Sequence, residues 1–146
     1  EVVICTEVLE HTYNPKKVIS EIHRVLKKNG IMIITIPFLH HIHAAPDDYC
    51  RLTKSFLLKT LIDLKLHRKN IQIEQQGGFY TTLINIIIQV LKYKSSEPVS
   101  VLSRLSFFFY KMIHKFSIKI IKLDNNQNNK KINSIFPGGY GIVAKK

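Results

Sequence analysis

Two short runs of this chain crowd together side chains that could do chemistry. The first is Cys-Thr-Glu-Val-Leu-Glu-His, Cys5 to His11. Its two carboxylates and imidazole, Glu7, Glu10 and His11, could bind a divalent cation, or His11 could act as a general base. The plainer reading is that Glu10 and His11 only orient a loop and lead into a helix, because short motifs often match by chance. The second run, Pro37 to Thr53, holds three His, two Asp, a Tyr and an Arg. That density of titratable groups on a loop is more informative than the same residues along a helix face. His40, His41 and His43 suggest metal, but they lack a helical i, i+4 pair or a Cys partner. A better reading is a loop braced by Asp48 and Arg51 that presents His43 and Tyr49 to a substrate. The plainer reading is an Asp–Arg pair that locks the loop to the following helix, and both can hold at once.

The elements around these runs must place them. Glu1 to Cys5 is a short β-branched run, as expected of a strand buried on both faces. Asn14-Pro15 is a helix start, with Asn as cap and Pro at the first helical position. Val18, Ile19, Ile22, Val25 and Leu26 then form one apolar stripe, and Asn29-Gly30 stops the helix, with Gly free to turn left-handed. Ile31 to Ile36 is a second strand, ended by Pro37. Strand, helix and strand at this spacing predict a right-handed βαβ unit with parallel strands. Both chemical runs then follow the carboxyl ends of parallel strands, where open α/β sheets bind ligands. Thr53 can cap a helix carrying Phe56, Leu57, Thr60, Leu61 and Leu64. Ile71 to Gln75 is a third strand, broken by Gly77-Gly78. Phe79 to Leu91 and Val101 to Lys122 read as helices joined by a Tyr93–Ser100 linker containing Pro98. Asp124 to Asn133 reads as a polar, Asn-rich connection expected to be mobile, and Tyr140 to Ala144 as a closing strand.

The composition bounds the class. The chain has 146 residues, 45% hydrophobic and 22% charged, which allows one globular domain or part of one. No run approaches the roughly 20 apolar residues of a membrane span. Two cysteines, Cys5 and Cys50, are too few for a disulfide scaffold, and a reducing cytoplasm is the simplest compartment.

The net charge is +12, and it is uneven. Residues 1–78 carry 11 basic and 8 acidic side chains, and residues 79–146 carry 11 and 2. Because 18 of the 22 basic residues are Lys and Ile and Asn abound, nucleotide bias accounts for most of this. The segment Val101 to Lys122 is the exception: Leu102, Leu105, Phe109, Met112, Ile113, Phe116 and Ile120 recur at helical spacing, with Arg104, Lys111, Lys115, Lys119 and Lys122 interrupting them. Such a helix could lie on an anionic membrane, at the inner face for a cytoplasmic protein, or cover a greasy acceptor. It could equally pack on the sheet with its Lys side chains reaching water. No basic cluster matches a nucleic-acid recognition element, so nucleic acid is not an expected partner.

Taken together, the runs resemble the C-terminal part of a class I S-adenosylmethionine-dependent methyltransferase. EVVICTEVLEHT resembles the fourth strand of that family and the loop after it, and NPKKVISEIHRVLKKNG resembles the next helix. IMIITIP resembles the fifth strand, and PGGYGIVAKK the closing one. Asn29 stands where the first of two glycines is usual. His43, Pro46, Asp48, Tyr49, Arg51 and Thr53 meet H-x-x-P-x-D-Y-x-R-x-T, which resembles the acceptor-side loop of a subset with glycan and cell-envelope functions.

The resemblance implies an α/β fold: parallel strands of a Rossmann-like sheet plus a closing antiparallel strand. It divides the chain into a partial core over 1–78, an apolar and basic helical insertion over 79–136 that could be a lid or face a membrane, and a closing strand over 137–146. It implies methyl transfer from S-adenosyl-L-methionine to a small-molecule, glycan or lipid-linked acceptor. Cys5, Thr6 and Glu7 would line the cofactor, His11 or His43 would be the base, and His40, Asp48, Tyr49 and Arg51 would meet the acceptor. Some quinone-type relatives carry a similar E-x-x-E-H run that holds a metal, which Glu7, Glu10 and His11 fit. The six glycines form no G-x-G-x-x-G-like turn after a strand, so the chain reads as a fragment without the cofactor-binding half, inactive alone. The alternative is a remnant that binds a membrane surface or a partner. The strand Glu1 to Cys5 would then present an unpaired edge.

Overall fold

Val2, Val3 and Ile4 favour extended backbone because branching at Cβ restricts their side chains. They form β1 (Val2–Thr6), which pairs in parallel with β2 (Ile31–Pro37), Val2 beside Ile31 and Thr6 beside Thr35. The computed structural model describes residues 1–95 and 101–146. The crossover between the two strands is α1 (Pro15–Val25), whose Lys17 N–H donates to the Asn14 side chain at 3.0 Å. α1 buries Ile19 and Ile22, while Val25, placed in the apolar stripe by spacing, is 50% exposed. Leu26, one residue past the helix, takes that place in the core. The left-handed residue of the stop is Asn29 (φ 65°), not Gly30. Asn tolerates this conformation, and Gly30 is needed for a different reason. A Cβ there would sit 2.7 Å from Leu26 Cδ2 and 2.9 Å from the Lys27 carbonyl oxygen.

α2 (Lys54–Asp63) begins at Thr53, whose hydroxyl accepts from Phe56 N–H at 3.2 Å. It buries Leu57, Thr60 and Leu61; Phe56, expected on that face, is 39% exposed. β3 (Ile71–Gln76) and the final strand β4 (Gly139–Lys145) complete a four-stranded mixed sheet in the order β1-β2-β4-β3. β4 runs antiparallel to both neighbours. The fold is therefore α/β, with parallel strands and a closing antiparallel strand.

Residue alternation sorts the sheet into two unlike faces. Cys5, Met32, Ile34, Ile36, Ile71, Ile73, Ile142 and Ala144 form one core with Leu9, Leu57 and Leu61. The other face leaves Val2, Ile4 and Val143 exposed and holds a depression of about 230 Å³ lined by Ile33, Thr35, Gln72, Glu74 and Gly141, among others. β1 ends the sheet and has no outer partner among the described residues. The strand is thus buried on one face only, where the sequence suggests two.

Residues 1–76 and 139–146 make one compact unit, and residues 77–138 make a second. The second contains α3 (Phe79–Ser95), α4 (Val101–Asp124) and α5 (Lys130–Ile135). Most of the linker around Pro98 lies outside the described residues. Asp124 to Asn133 is not the irregular connection its composition suggests. A 3-10 turn over Gln127–Asn129 leads into α5, and Asn133 is buried. The reason is tertiary. The Asp124 carboxylate accepts the N–H groups of Gly78, Tyr80 and Thr81 at 3.1, 3.0 and 2.8 Å, and the Asn133 side chain accepts that of Phe79 at 3.0 Å. The first N–H groups of a helix have no partner within it, and here two distant side chains supply them.

Candidate functional site

The two chemical runs meet. β1 ends at Thr6, and Glu7 turns the chain with a positive φ of 52°. Its N–H donates to the Thr35 carbonyl oxygen at 3.1 Å, and its carboxylate accepts from the Thr35 hydroxyl at 2.8 Å. Glu7 is thereby held at the carboxyl ends of β1 and β2. A 3-10 turn over Leu9–His11 follows, with Leu9 and Glu10 fully buried. The loop after β2 is stitched to this turn: Tyr49 N–H donates to the Glu10 carbonyl oxygen at 2.8 Å, and His11 Nδ1 lies 2.6 Å from the Asp47 carbonyl oxygen.

Asp48 braces the loop from within. Its side chain is 2% exposed and takes both terminal nitrogens of Arg51, as well as the His43 N–H at 2.8 Å. The Arg51 hydrogen bonds hold its carboxyl well below the usual carboxylate range despite burial. Arg51 also donates to the carbonyl oxygens of His41 and Cys50. The brace sets His43 against the first run. The His11 and His43 rings meet edge to face with centroids 4.8 Å apart. Nε2 of His11 and of His43 lie 3.7 and 3.8 Å from Glu10 Oε1. These distances are too long for hydrogen bonds, and neither Glu10 oxygen has a hydrogen-bond partner among the described residues.

The remaining candidates sit around this centre. Tyr49 is half exposed, donates to Asp47 at 2.8 Å and packs edge to face with Tyr13. That hydrogen bond, first, and the Asp47 charge raise its phenol pKa. His40 is exposed, with its ring 5.0 Å from that of His43. The His41 pKa is lowered, first by burial of its ring and then by the neighbouring His40, His43 and Arg51 charges. A shallow depression of about 300 Å³ is lined by His40, Ile42, Asp48, Tyr49, Cys50 and Arg51. Thr6 is exposed, but the Cys5 side chain lies in the core. Burial raises the Cys5 thiol pKa, with Glu10 adding to it. Any ligand contact from Cys5 must therefore come from its backbone.

Of the predicted side chains, Glu10, His11 and His43 come together, and the Asp48–Arg51 pair braces the loop that carries His43. Glu7 does not join them, because Thr35 holds it on the other side of the strand ends. Thr35, Asp47 and Tyr13 were not legible as site residues. Thr35 carries no signal beyond its place near the end of a strand, and Asp47 acts mainly through its backbone.

Residues 1–34 match the methyltransferase domain family. The match covers β1, the turn with Glu10 and His11, α1 and the first part of β2. No curated protein matches the sequence. Among solved structures, the [4+2]-cyclase SpnF is similar over 99% of this chain at 14% identity, with a TM-score of 0.48. This chain covers 48% of the SpnF chain, so it spans about half the length of that structure.

Proposed function

We propose that the chain is the acceptor-side part of an S-adenosylmethionine-dependent methyltransferase. The observation that carries this reading is the methyltransferase-domain match over residues 1–34, which coincides with the segment that builds the Glu10–His11 turn. The second loop, which brings His43 to the same point, supports it.

The bound cofactor would supply a methyl group on a sulfonium leaving group, so the protein has mainly to align the reactants and exclude water. Thr6 and Glu7 fit one wall of such a cofactor, since both stand at the open carboxyl end of β1 and Glu7 is fixed by Thr35. His11 or His43 would take the proton of an acceptor hydroxyl, and the Glu10 carboxylate would stabilise the resulting imidazolium. Tyr49, His40 and Arg51 line the depression beside them and would contact the acceptor, whose glycan or lipid-linked nature is part of the proposal.

The test uses the chain expressed with whatever in-frame sequence surrounds it. Radiolabelled S-adenosylmethionine is supplied with an extract of cell-envelope glycans and lipids. Label should enter the extract. His43→Ala should lower incorporation about 100-fold, the low end for a lost acid–base group because His11 stands beside it. Cofactor retained in equilibrium dialysis should not change. Absence of both cofactor retention and label transfer would overturn the reading.

A specific feature of α4 favours a second role for the helical unit. Leu105, Phe108, Phe109, Met112 and Phe116 are exposed along one stripe. Lys111, Lys115, Lys119 and Lys122 are exposed along its flank, and Lys111 Nζ lies 4.6 Å over the Phe107 ring. Residues 77–138 carry nine Lys or Arg against two Asp or Glu. No helix among the described residues is long and apolar enough to cross a membrane. The stripe suits a helix lying on an anionic bilayer, with aromatic rings in the interface and lysines at the headgroups. The chain should therefore sediment with phosphatidylglycerol vesicles and not with phosphatidylcholine vesicles. Lys115→Gln with Lys119→Gln should weaken that binding about 30-fold, at roughly 1 kcal/mol per lysine. Equal binding to both vesicle types, or to neither, would exclude it.

A further inference from the structure

The geometry points to a divalent transition-metal site formed by Glu10, His11 and His43, of the class that takes Zn2+ or Co2+. It follows from how the two loops meet and does not rest on methyl transfer; with the metal bound, Nε2 of His11 and of His43 would serve as ligands in place of the base role proposed above.

The first observation is the state of Glu10. Its side chain is fully buried, and neither carboxylate oxygen has a hydrogen-bond partner among the described residues. A bare buried carboxylate is strongly unfavourable unless a cation faces it. The guanidinium of Arg51 bears on Glu10 through its charge but donates no hydrogen bond to it: its two terminal nitrogens are engaged by Asp48 and by the carbonyl oxygens of His41 and Cys50, and its buried Nε has no partner among the described residues.

The second observation is the orientation of both imidazoles. His11 Nδ1 lies 2.6 Å from the Asp47 carbonyl oxygen, which can only accept, so Nδ1 carries the proton. His43 Nδ1 faces the His41 carbonyl oxygen at 3.3 Å and the Asp48 carboxylate at 3.4 Å, both acceptors. In the neutral rings the lone pairs are then on the Nε2 atoms, and both of these are turned toward Glu10 Oε1. Metal-ligating histidines are oriented in this way, with the other ring nitrogen donating to a carbonyl or carboxylate.

The third observation is spacing. Nε2 of each ring is 3.7 or 3.8 Å from Glu10 Oε1, and one donor atom from each residue lies within 4.8 Å of the others. Bonds of about 2.0–2.1 Å in a tetrahedral site put ligand atoms about 3.3 Å apart. The set is therefore a few tenths of an ångström to about 1.5 Å wider than a closed site, a gap that small ring rotations can close. Two imidazoles and one carboxylate favour zinc and its neighbours over magnesium or calcium. Three protein donors leave a position for water or an acceptor oxygen, and a cation there would itself make that oxygen more acidic.

Two features separate this set from the linear run Glu7, Glu10, His11. Glu7 is engaged by Thr35, and the third donor, His43, comes from the loop after β2.

The test is titration of the 146-residue chain with Zn2+ by calorimetry, and with Co2+ by visible absorption. One equivalent should bind, Co2+ should give the intense bands of a low-symmetry complex, and Zn2+ should displace it. Glu10→Gln, His11→Ala and His43→Ala should each weaken binding by more than about 100-fold, beyond the 10–100-fold loss of an outer partner. His67→Ala, at an exposed position outside both loops, should bind as the unaltered chain does. A second measurement needs no variant: Zn2+ should protect His11 and His43, and not His40, from acylation by diethyl pyrocarbonate. Absence of binding would overturn the proposal, as would binding that survives Glu10→Gln or leaves His11 and His43 reactive.

Discussion

Asp124→Ala should destabilise the helical unit of residues 77–138 by about 3 kcal/mol, seen as an earlier loss of helical circular dichroism on heating. The aspartate accepts the N–H groups of Gly78, Tyr80 and Thr81 at the start of α3. An ordinary cap satisfies one or two such donors and contributes about 1 kcal/mol. This one satisfies three with a charged acceptor, and hydrogen bonds to charge are worth about 1.5–3 kcal/mol. Water reaching the freed N–H groups would recover part of the loss, which sets the figure. The cap also leaves no room for a side chain at position 78: a Cβ on Gly78 would lie 2.5 Å from Asn133 Cγ and 2.7 Å from Asp124 Oδ1. Burial pushes the Asp124 carboxyl up, but the hydrogen bonds from Thr81, Tyr80 and Gly78 outweigh it and lower the pKa. A carboxyl whose folded pKa is depressed stabilises fully above its unfolded value, about 3.9, and the contribution is lost as pH falls through the folded value. The unit should therefore melt earlier as the solution is acidified below about pH 4, and Asp124→Ala should flatten that dependence. An unchanged melting curve for the variant would refute this account of the cap.

Asp48→Ala should destabilise the sheet unit by about 3 kcal/mol, read from the urea midpoint. Removing one partner of a buried ion pair typically costs about 3–5 kcal/mol, because the other charge is left without its counterpart. The low end applies, since the Arg51 side chain is 21% exposed and keeps its bonds to the carbonyl oxygens of Cys50 and His41. Asp48 also accepts the His43 N–H, so the variant should release His43 as well as Arg51. Arg51→Ala on that background should cost much less than it does alone, because the two side chains act as one unit. Additive losses would show that they do not. The Asp48 carboxyl is depressed, first by the Arg51 hydrogen bonds, so its contribution too is complete above about pH 4 and declines below it.

Much of the local structure was legible because its causes are local. Asn14-Pro15 and Thr53 start helices by satisfying N–H groups within one turn, and the β-branched runs at Val2 and Ile31 fit a pleated sheet whatever lies further away. The left-handed stop is legible as a pair of residues, but the sequence points to Gly30 where Asn29 takes the conformation. Both Asn and Gly tolerate a positive φ, and only the packing of Leu26 against position 30 shows why Gly stands where it does. The order of α5 was not legible, since Asn133 carries no signal in its own neighbourhood and gains its role only when Phe79 is brought to it.

The same division runs through the candidate site. Two loops at the carboxyl ends of parallel strands that carry carboxylates and imidazoles follow from residue order alone, as does the chance for Asp48 and Arg51, three residues apart, to brace one of them. Which carboxylate serves depends on contacts between segments far apart in the chain. Spacing treats Glu7 and Glu10 alike, but the positive φ at Glu7 sends its side chain to Thr35, and the 3-10 turn buries Glu10. Nor does sequence separation show that His43 meets His11. That contact exists because β1 and β2 are neighbours in one sheet, so the loops that leave them must end side by side.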